Sequence, residues 1–367
     1  MKILLINSVC GIGSTGKIVA HIADEYIARG HEARVVYGRC DVVPEQYKNI
    51  SYRVGADWDL WLHAISSRIF DNHGFGSSQA TKRFLNWASE YNPDILWLHN
   101  IHGYYINVEM LFEWIKSRPQ MHVKWTLHDC WAFTGHCSHF DFCGCMKWKT
   151  ECKNCPQIKS YPPSLFLDNS KSNFSRKKKA FTGVLDMQII TPSQWLEKLV
   201  KQSFLKEYSV ITISNTIDTS IFKPTPGNFR NKYNLNDKKI ILGVANIWTA
   251  RKGLHDFFKL RSILDDDFHI VLVGLTERQI ALLPSGITGL ARTYSAIELA
   301  EIYTTADIFF NPTYQDNYPT VNLEAEACGT PVITYNTGGA PETIKLKTSQ
   351  IIEKGNLLKV AEIIKSI

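Results

Sequence analysis

No run of apolar residues in this 367-residue chain approaches the roughly 18 that a membrane-spanning helix needs. The N-terminal apolar run, Ile3 to Ile6, is too short for the core of a secretory signal. These two absences give the expectation of a cytoplasmic protein. Charge of one sign is also scarce. The formal net charge of +6 is spread along the chain, so the broad basic stripe that nucleic acid requires is missing. One knot, Arg176-Lys177-Lys178-Lys179, reads first as the solvated face of a helix. Its second reading is peripheral contact with the anionic inner face of a membrane. A repeat of solenoid type is absent. Nine cysteines do not imply a disulfide framework in a compartment that keeps thiols reduced. Six of them fall between Cys130 and Cys155, which brings metal into consideration.

With 44% of residues hydrophobic and 21% charged, the chain can build two separate cores. Its first half alternates apolar runs of strand length (Met1 to Ile6, Ala33 to Tyr37, Asp94 to Leu98, Val123 to Leu127, Met187 to Thr191) with helical periodicity over Lys17 to Arg29, Leu60 to Phe70, Gln79 to Tyr91 and Val108 to Ser117. The same rhythm restarts at Ser209 to Ile213, Lys239 to Ala245, Phe268 to Gly274, Asp307 to Asn311 and Pro331 to Tyr335. Strands alternating with helices predict α/β architecture with parallel sheets covered on both faces. Two doubly wound units are expected, with the boundary between Ile217 and Lys239, where proline, glycine and asparagine concentrate.

Gly11, Gly13 and Gly16 form a G-x-G-x-x-G pattern between the first strand and the first helix. A phosphate-binding P-loop would need Ser or Thr after Lys17, where Ile18 stands. A dinucleotide site would need a carboxylate at the end of the second strand. There the chain offers Gly38-Arg39-Cys40, with Asp41 only afterwards. What survives is a loop, including Gly13 and Ser14, whose amides and helix N-terminus can approach an anionic or hydroxyl-rich ligand; the alternative is a tight turn and no more.

Ile190-Thr-Pro-Ser-Gln-Trp-Leu196, Ile213-Ser-Asn-Thr-Ile-Asp218 with Phe222-Lys-Pro224, the long segment Asn311 to Pro331, and Thr337-Gly-Gly-Ala-Pro-Glu342 resemble, in order, the hallmarks of the retaining glycosyltransferases of family 4. The resemblance runs from about residue 1 to about residue 344, and within the family it is nearest to enzymes that build colanic acid and capsules. It implies a GT-B fold, two Rossmann-like domains facing each other across a cleft. The acceptor domain would be residues 1–217 with a Cys-rich insertion at 130–162, and the nucleotide-sugar domain residues 218–350. A last helix within 351–367 would pack back on the first domain. Glu324 matches the second acid of the family's E-x7-E pattern, and Asp316 stands at the first. Carboxylates accept hydrogen bonds from vicinal hydroxyls, so such a pair can hold ribose and transferred sugar.

By the same resemblance, the loop Asn317, Tyr318, Pro319, Thr320 turns its amides toward the donor. Pro319 stands where many members have glycine and has no N–H to give, so the Thr320 hydroxyl is a candidate replacement. Lys252 matches a lysine that grips the diphosphate. The companion arginine is replaced by Ile247, which leaves Arg251 as its substitute. His128 matches a histidine beside the donor sugar, where a neutral imidazole can donate or accept. His99 and His102 either line the acceptor side or are packed, satisfied residues. Glu326 replaces a residue that is commonly apolar. A general base does not stand out, as befits front-face retention, in which the leaving phosphate takes the acceptor proton.

Cys152-Lys-Asn-Cys155 is a C-x2-C knuckle, and Cys137 with Cys145 can complete a four-thiolate zinc site. The family's relatives carry cysteines at these four positions. Cys130, Cys143, His136 and His139 are alternative ligands, and reduced, buried thiols are the other reading. Catalysis itself is expected to need no cofactor, and the insertion is expected to shape the acceptor site. The function so implied is transfer of a sugar from a UDP- or GDP-sugar to a saccharide or lipid-linked acceptor in surface polysaccharide synthesis. The rivals are an NAD-dependent Rossmann enzyme and a cysteine-knuckle module for nucleic acid or protein.

Overall fold

The computed structural model describes residues 1–40 and 42–366, so Asp41 lies outside the described residues. The chain divides into two compact units, Met1–Ile213 and Ser214–Ile367.

The first unit is a seven-stranded sheet built from β1 (Lys2–Ile6), β2 (Glu32–Tyr37), β3 (Ser51–Arg53), β4 (Ile95–Leu98), β5 (His122–Thr126), β6 (Met187–Thr191) and β7 (Ser209–Thr212), in the order β3-β2-β1-β4-β5-β6-β7. Every neighbouring pair is parallel. The helices are α1 (Gly13–Ala28), α2 (Asp57–Phe70), α3 (Ser78–Tyr91), α4 (Val108–Lys116), α5 (Ser170–Phe181) and α6 (Gln194–Val200). Ile3 through Ile6 are fully buried, as expected of a central parallel strand with both faces covered. The strand order reverses between β1 and β4, which makes the loops after these two strands the natural ligand edge.

Helix α1 begins at Gly13, one turn earlier than its apolar periodicity indicates, so Gly13 and Ser14 belong to its first turn. Gly13 has φ +62°, a left-handed conformation that favours glycine. Helix α2 turns polar residues inward: Asp59, His63 and Ser67 are its buried positions. Asp59 accepts the Ala56 N–H, and His63 Nε2 accepts the N–H groups of Gly74 and Gly76. The basic knot is not a solvated face either. Lys177 is buried, and Arg176 pairs with Glu109 while lying over the Phe75 ring. Only Lys178 and Lys179 of the four are exposed.

The second unit is a six-stranded parallel sheet of β8 (Lys239–Val244), β9 (Phe268–Val273), β10 (Ile287–Leu290), β11 (Ile308–Asn311), β12 (Val332–Tyr335) and β13 (Gln350–Ile352), ordered β10-β9-β8-β11-β12-β13. Its helices are α7 (Phe229–Lys232), α8 (Leu254–Arg261), α9 (Glu277–Ile280), α10 (Ala296–Thr305), α11 (Thr320–Ala327) and α12 (Leu357–Lys365). Here the order reverses between β8 and β11. Helix α12 buries Val360, Ala361 and Ile364 in the core of this same unit, against α8. No described helix is long and apolar enough to cross a membrane.

Candidate functional site

At the reversal point of the second sheet, the loop after β8 meets the loop after β11. Lys252 Nζ lies 2.5 Å from Asp316 Oδ2, both side chains about one-fifth exposed. Asp316 is fixed from several directions: its Oδ1 accepts the Asn317 N–H and its carbonyl accepts the Gly339 N–H. A Cβ on Gly338 would stand 2.1 Å from that carbonyl oxygen, so the Thr337-Gly-Gly segment must be glycine to lie against the Asp316 loop. Arg251 is also tied down, with Nη1 donating to the Gln315 carbonyl and its own carbonyl accepting the Tyr314 N–H.

Helix α11 begins at Thr320 with Pro319 at its cap. Glu324 therefore sits one turn inside the helix. A proline at the cap loses no intrahelical bond, because the first N–H groups of a helix have no partner within it. Asn317 and Tyr318 are buried. Glu324 Oε2 accepts a 3.0 Å hydrogen bond from the hydroxyl of Tyr303, a fully buried residue of α10. Sequence reasoning missed Tyr303, since a partner twenty-one residues away leaves no local signal. The same is true of Glu326, whose carboxylate accepts the Lys345 and Leu346 N–H groups and the Ser349 hydroxyl, at 2.8, 3.1 and 2.7 Å. It anchors the strap between α11 and β13, which accounts for an acid at a commonly apolar position.

In the first unit the ends of β1, β4 and β5 carry the polar side chains. Asn7 is fully buried and ties the loops together, its Nδ2 donating to the Val9 carbonyl and its Oδ1 accepting the Asn100 N–H. His99 Nδ1 lies 3.0 Å from His128 Nε2, with the rings stacked. Burial pulls the His128 pKa down to about 4 and that of His99 well below its usual range, so both rings are neutral near pH 7. His102 Nε2 lies 3.0 Å from Asp129 Oδ2. Asp129 stays ionised, held below the usual carboxylate range against its burial by His102 and His139 and by the Trp131 N–H. Gly13 and Ser14 are exposed at the start of α1.

Residues 227–367 match the family model for glycosyl transferases group 1. The second unit is a group 1 glycosyltransferase domain. The whole chain is similar to a colanic acid biosynthesis glycosyl transferase, WcaC, of Escherichia coli K12, at 22% identity over all of this chain and 90% of that one. The chain is similar in structure to sucrose-phosphate synthase of Thermosynechococcus elongatus, with a TM-score of 0.68 at 16% identity, and to HepE of Anabaena in complex with UDP, with a TM-score of 0.66 at 15% identity. Each match covers all of this chain and 89% of the other, which establishes the GT-B fold.

The glycosyltransferase domain contributes Lys252, Asp316 and Glu324. The other unit carries the cysteine-rich segment between β5 and α5, where three short 3-10 turns are the regular structure. Cys137, Cys145, Cys152 and Cys155 all line one cavity there, together with His136, Phe140 and Trp148. A hydrogen bond between the Cys137 and Cys155 thiols raises the pKa of the first and brings the second to about 7. Among the described residues no group of three or more His, Cys, Asp or Glu side chains is arranged, as it stands, to hold a metal ion. Cys143 is engaged elsewhere, its thiol donating to the Phe140 carbonyl.

Proposed function

We propose that the protein is a retaining glycosyltransferase that moves a sugar from a UDP- or GDP-sugar to a saccharide or lipid-linked acceptor during synthesis of a bacterial surface polysaccharide. The observation that carries this reading is the Lys252–Asp316 ion pair, in the loop that leads into the helix bearing Glu324, at the point where the second sheet reverses its order. Similarity to WcaC along the whole chain supports the polysaccharide setting, and UDP in HepE supports the donor class.

Lys252 offers positive charge where a departing diphosphate gathers negative charge, which is the main demand of this chemistry. The donor phosphates would take Lys252 from Asp316 and free that carboxylate for a sugar hydroxyl. Glu324, steadied by Tyr303, accepts from the ribose hydroxyls. The first turn of α11, with Asn317, Tyr318 and the Thr320 hydroxyl, faces the anionic part of the donor; Pro319 adds shape but no N–H. Arg251 spends one guanidinium nitrogen on Gln315 and contributes charge with those that remain. By the family resemblance, Gly13 and Ser14 of α1 are donor-binding residues, and neutral His128 hydrogen-bonds the transferred sugar. The leaving phosphate takes the acceptor proton, with no cofactor. A lipid-linked acceptor would bring the enzyme to the inner membrane face.

The test is incubation of the protein with a panel of UDP- and GDP-sugars while nucleotide release is followed. Release with one donor, lost in Glu324→Ala, is the expected result. Absence of binding and release with every donor, alongside tight NAD binding, would overturn the reading.

A further inference from the structure

The proposed transfer uses none of the four thiols of the first unit, yet they are the best-organised feature of its longest irregular segment. From Leu127 to Asn169 the chain forms no strand and no helix beyond the 3-10 turns, although it buries Trp131, Phe133, Phe140 and Trp148. Irregular segments of such length usually need a tie of their own. The thiols surround a void of about 10 Å³, which is the room that one water or small ion takes. Two turns aim them at it. Asn154 takes φ +46° between Cys152 and Cys155, and Gly144 takes φ +66° just before Cys145. Two of the sulfurs already accept backbone N–H groups, Cys152 from Gly135 and Cys155 from Gln157. Such N–H groups stabilise a thiolate. Gly135 has no alternative here, because a Cβ would stand 2.7 Å from the Cys152 Cβ and 2.0 Å from the Ser170 carbonyl oxygen.

Two further observations, independent of the sulfurs, call for negative charge at this place. Lys177 is buried to 1% exposure, and its ammonium reaches the Trp131 and Thr134 carbonyls at 2.8 and 3.1 Å, over the Trp131 ring. The groups whose ionised forms would favour its charge are Cys152, Asp71, Cys137 and Asp129. Asp71 is already held 2.5 Å from His136 Nδ1, and Asp129 faces His102. A buried ammonium is costly without an opposing charge. His136 lines the same void, and its buried Nε2 has no hydrogen-bond partner. Lys147 and Lys153 line the void as well, and Lys147 Nζ caps the carbonyls of Lys153 and Asn154 inside the knuckle. A tetrathiolate around a divalent ion carries two negative charges, which this collar of lysines would balance, while His136 Nε2 can donate a hydrogen bond to it.

We infer that Cys137, Cys145, Cys152 and Cys155 bind one zinc ion as a structural tetrathiolate, with Lys177 opposing its charge and His136 as a hydrogen-bond partner and not a ligand. Binding exchanges four S–H protons for four Zn–S bonds, with no change of oxidation state, and the side chains close onto the void as the protons leave. A closed set of four soft ligands keeps no open position, so the ion staples the segment and takes no part in transfer.

The full chain, purified under reducing conditions without chelator, should carry one zinc per chain by elemental analysis. Cadmium exchange should give the ultraviolet band of thiolate-to-cadmium charge transfer. Cys152→Ser and Cys145→Ser should lose the metal and His136→Gln should keep it. Should the cysteine variants fail to fold, counting thiols reactive in the native wild type before and after chelation decides the matter, with a gain of four expected. Metal-free protein with no gain of reactive thiols on chelation, or a Cys137–Cys155 disulfide by mass spectrometry, would overturn the inference. So would metal lost in His136→Gln and retained in Cys145→Ser. None of these readouts depends on which donor the enzyme uses.

Discussion

Each residue of the donor site does a separable task, and substitution can isolate it. Replacing Lys252 with methionine keeps most of the apolar stem and removes the charge. Turnover should fall about 100- to 1,000-fold, the usual cost of losing one group that stabilises developing charge. Steady-state kinetics with the active donor check this. Tyr303→Phe is subtler. It leaves the buried ring in place and removes the hydroxyl that holds Glu324 Oε2. One hydrogen bond to a charged group is worth about 1.5–3 kcal/mol, so donor KM should rise about tenfold with little change in melting temperature. A donor lacking one ribose hydroxyl should then discriminate poorly between wild type and variant, because the contact steadied by Tyr303 is already lost. Equal KM values for the two proteins with the intact donor would show that Tyr303 packs without positioning.

Among the elements, close approach of two loops is what assembles the site, and Gly253 is one point of that approach. The residue has φ +76°, and a Cβ would stand 2.2 Å from the Pro312 carbonyl oxygen. Gly253→Ala should therefore cost about 2 kcal/mol or more and move Lys252 off Asp316. Gly30→Ala is the control, since its φ of +80° is similar but a Cβ there would meet nothing, and about 1 kcal/mol is expected. Urea denaturation of both, with nucleotide release, checks the difference. The central strands were legible in the sequence because burial on both faces writes them as continuous apolar runs. Edge strands β3, β10 and β13 were not. Ser51 to Arg53 is half-buried, and Gln350 and Ile351 are exposed, so no such run forms. The starts of α1 and α11 were also illegible, for neither has a side chain capping its first N–H groups. Lys252, Asp316 and Glu324 were named through the family resemblance, and the structure joins the first two in an ion pair. Tyr303, the anchoring role of Glu326 and the burial of Lys177 could not, because their partners come from distant segments.

For the whole molecule, composition hides where the titration lies. A net charge of +6 suggests nothing unusual, yet the first unit buries several histidines as neutral rings. His63 Nε2 accepts two backbone N–H groups, and His73 Nε2 accepts that of Gly103. Protonation at those atoms would abolish the bonds. Burial accordingly lowers the His63 pKa to about 4, and that of His73 well below its usual range. A histidine whose folded pKa is depressed binds fewer protons than in the unfolded chain at pH values between the two constants. Its contribution to stability is thus complete above about 6.5 and is lost as pH falls toward the folded value. For His63 the shift from 6.5 to about 4 corresponds to about 3 kcal/mol. The urea midpoint of the first unit, followed by tryptophan fluorescence, should fall most steeply below about pH 6. His63→Gln, which keeps hydrogen-bonding capacity without titrating, should be less stable at pH 7 but show a shallower decline. An equal slope in the variant would assign the acid sensitivity to other groups.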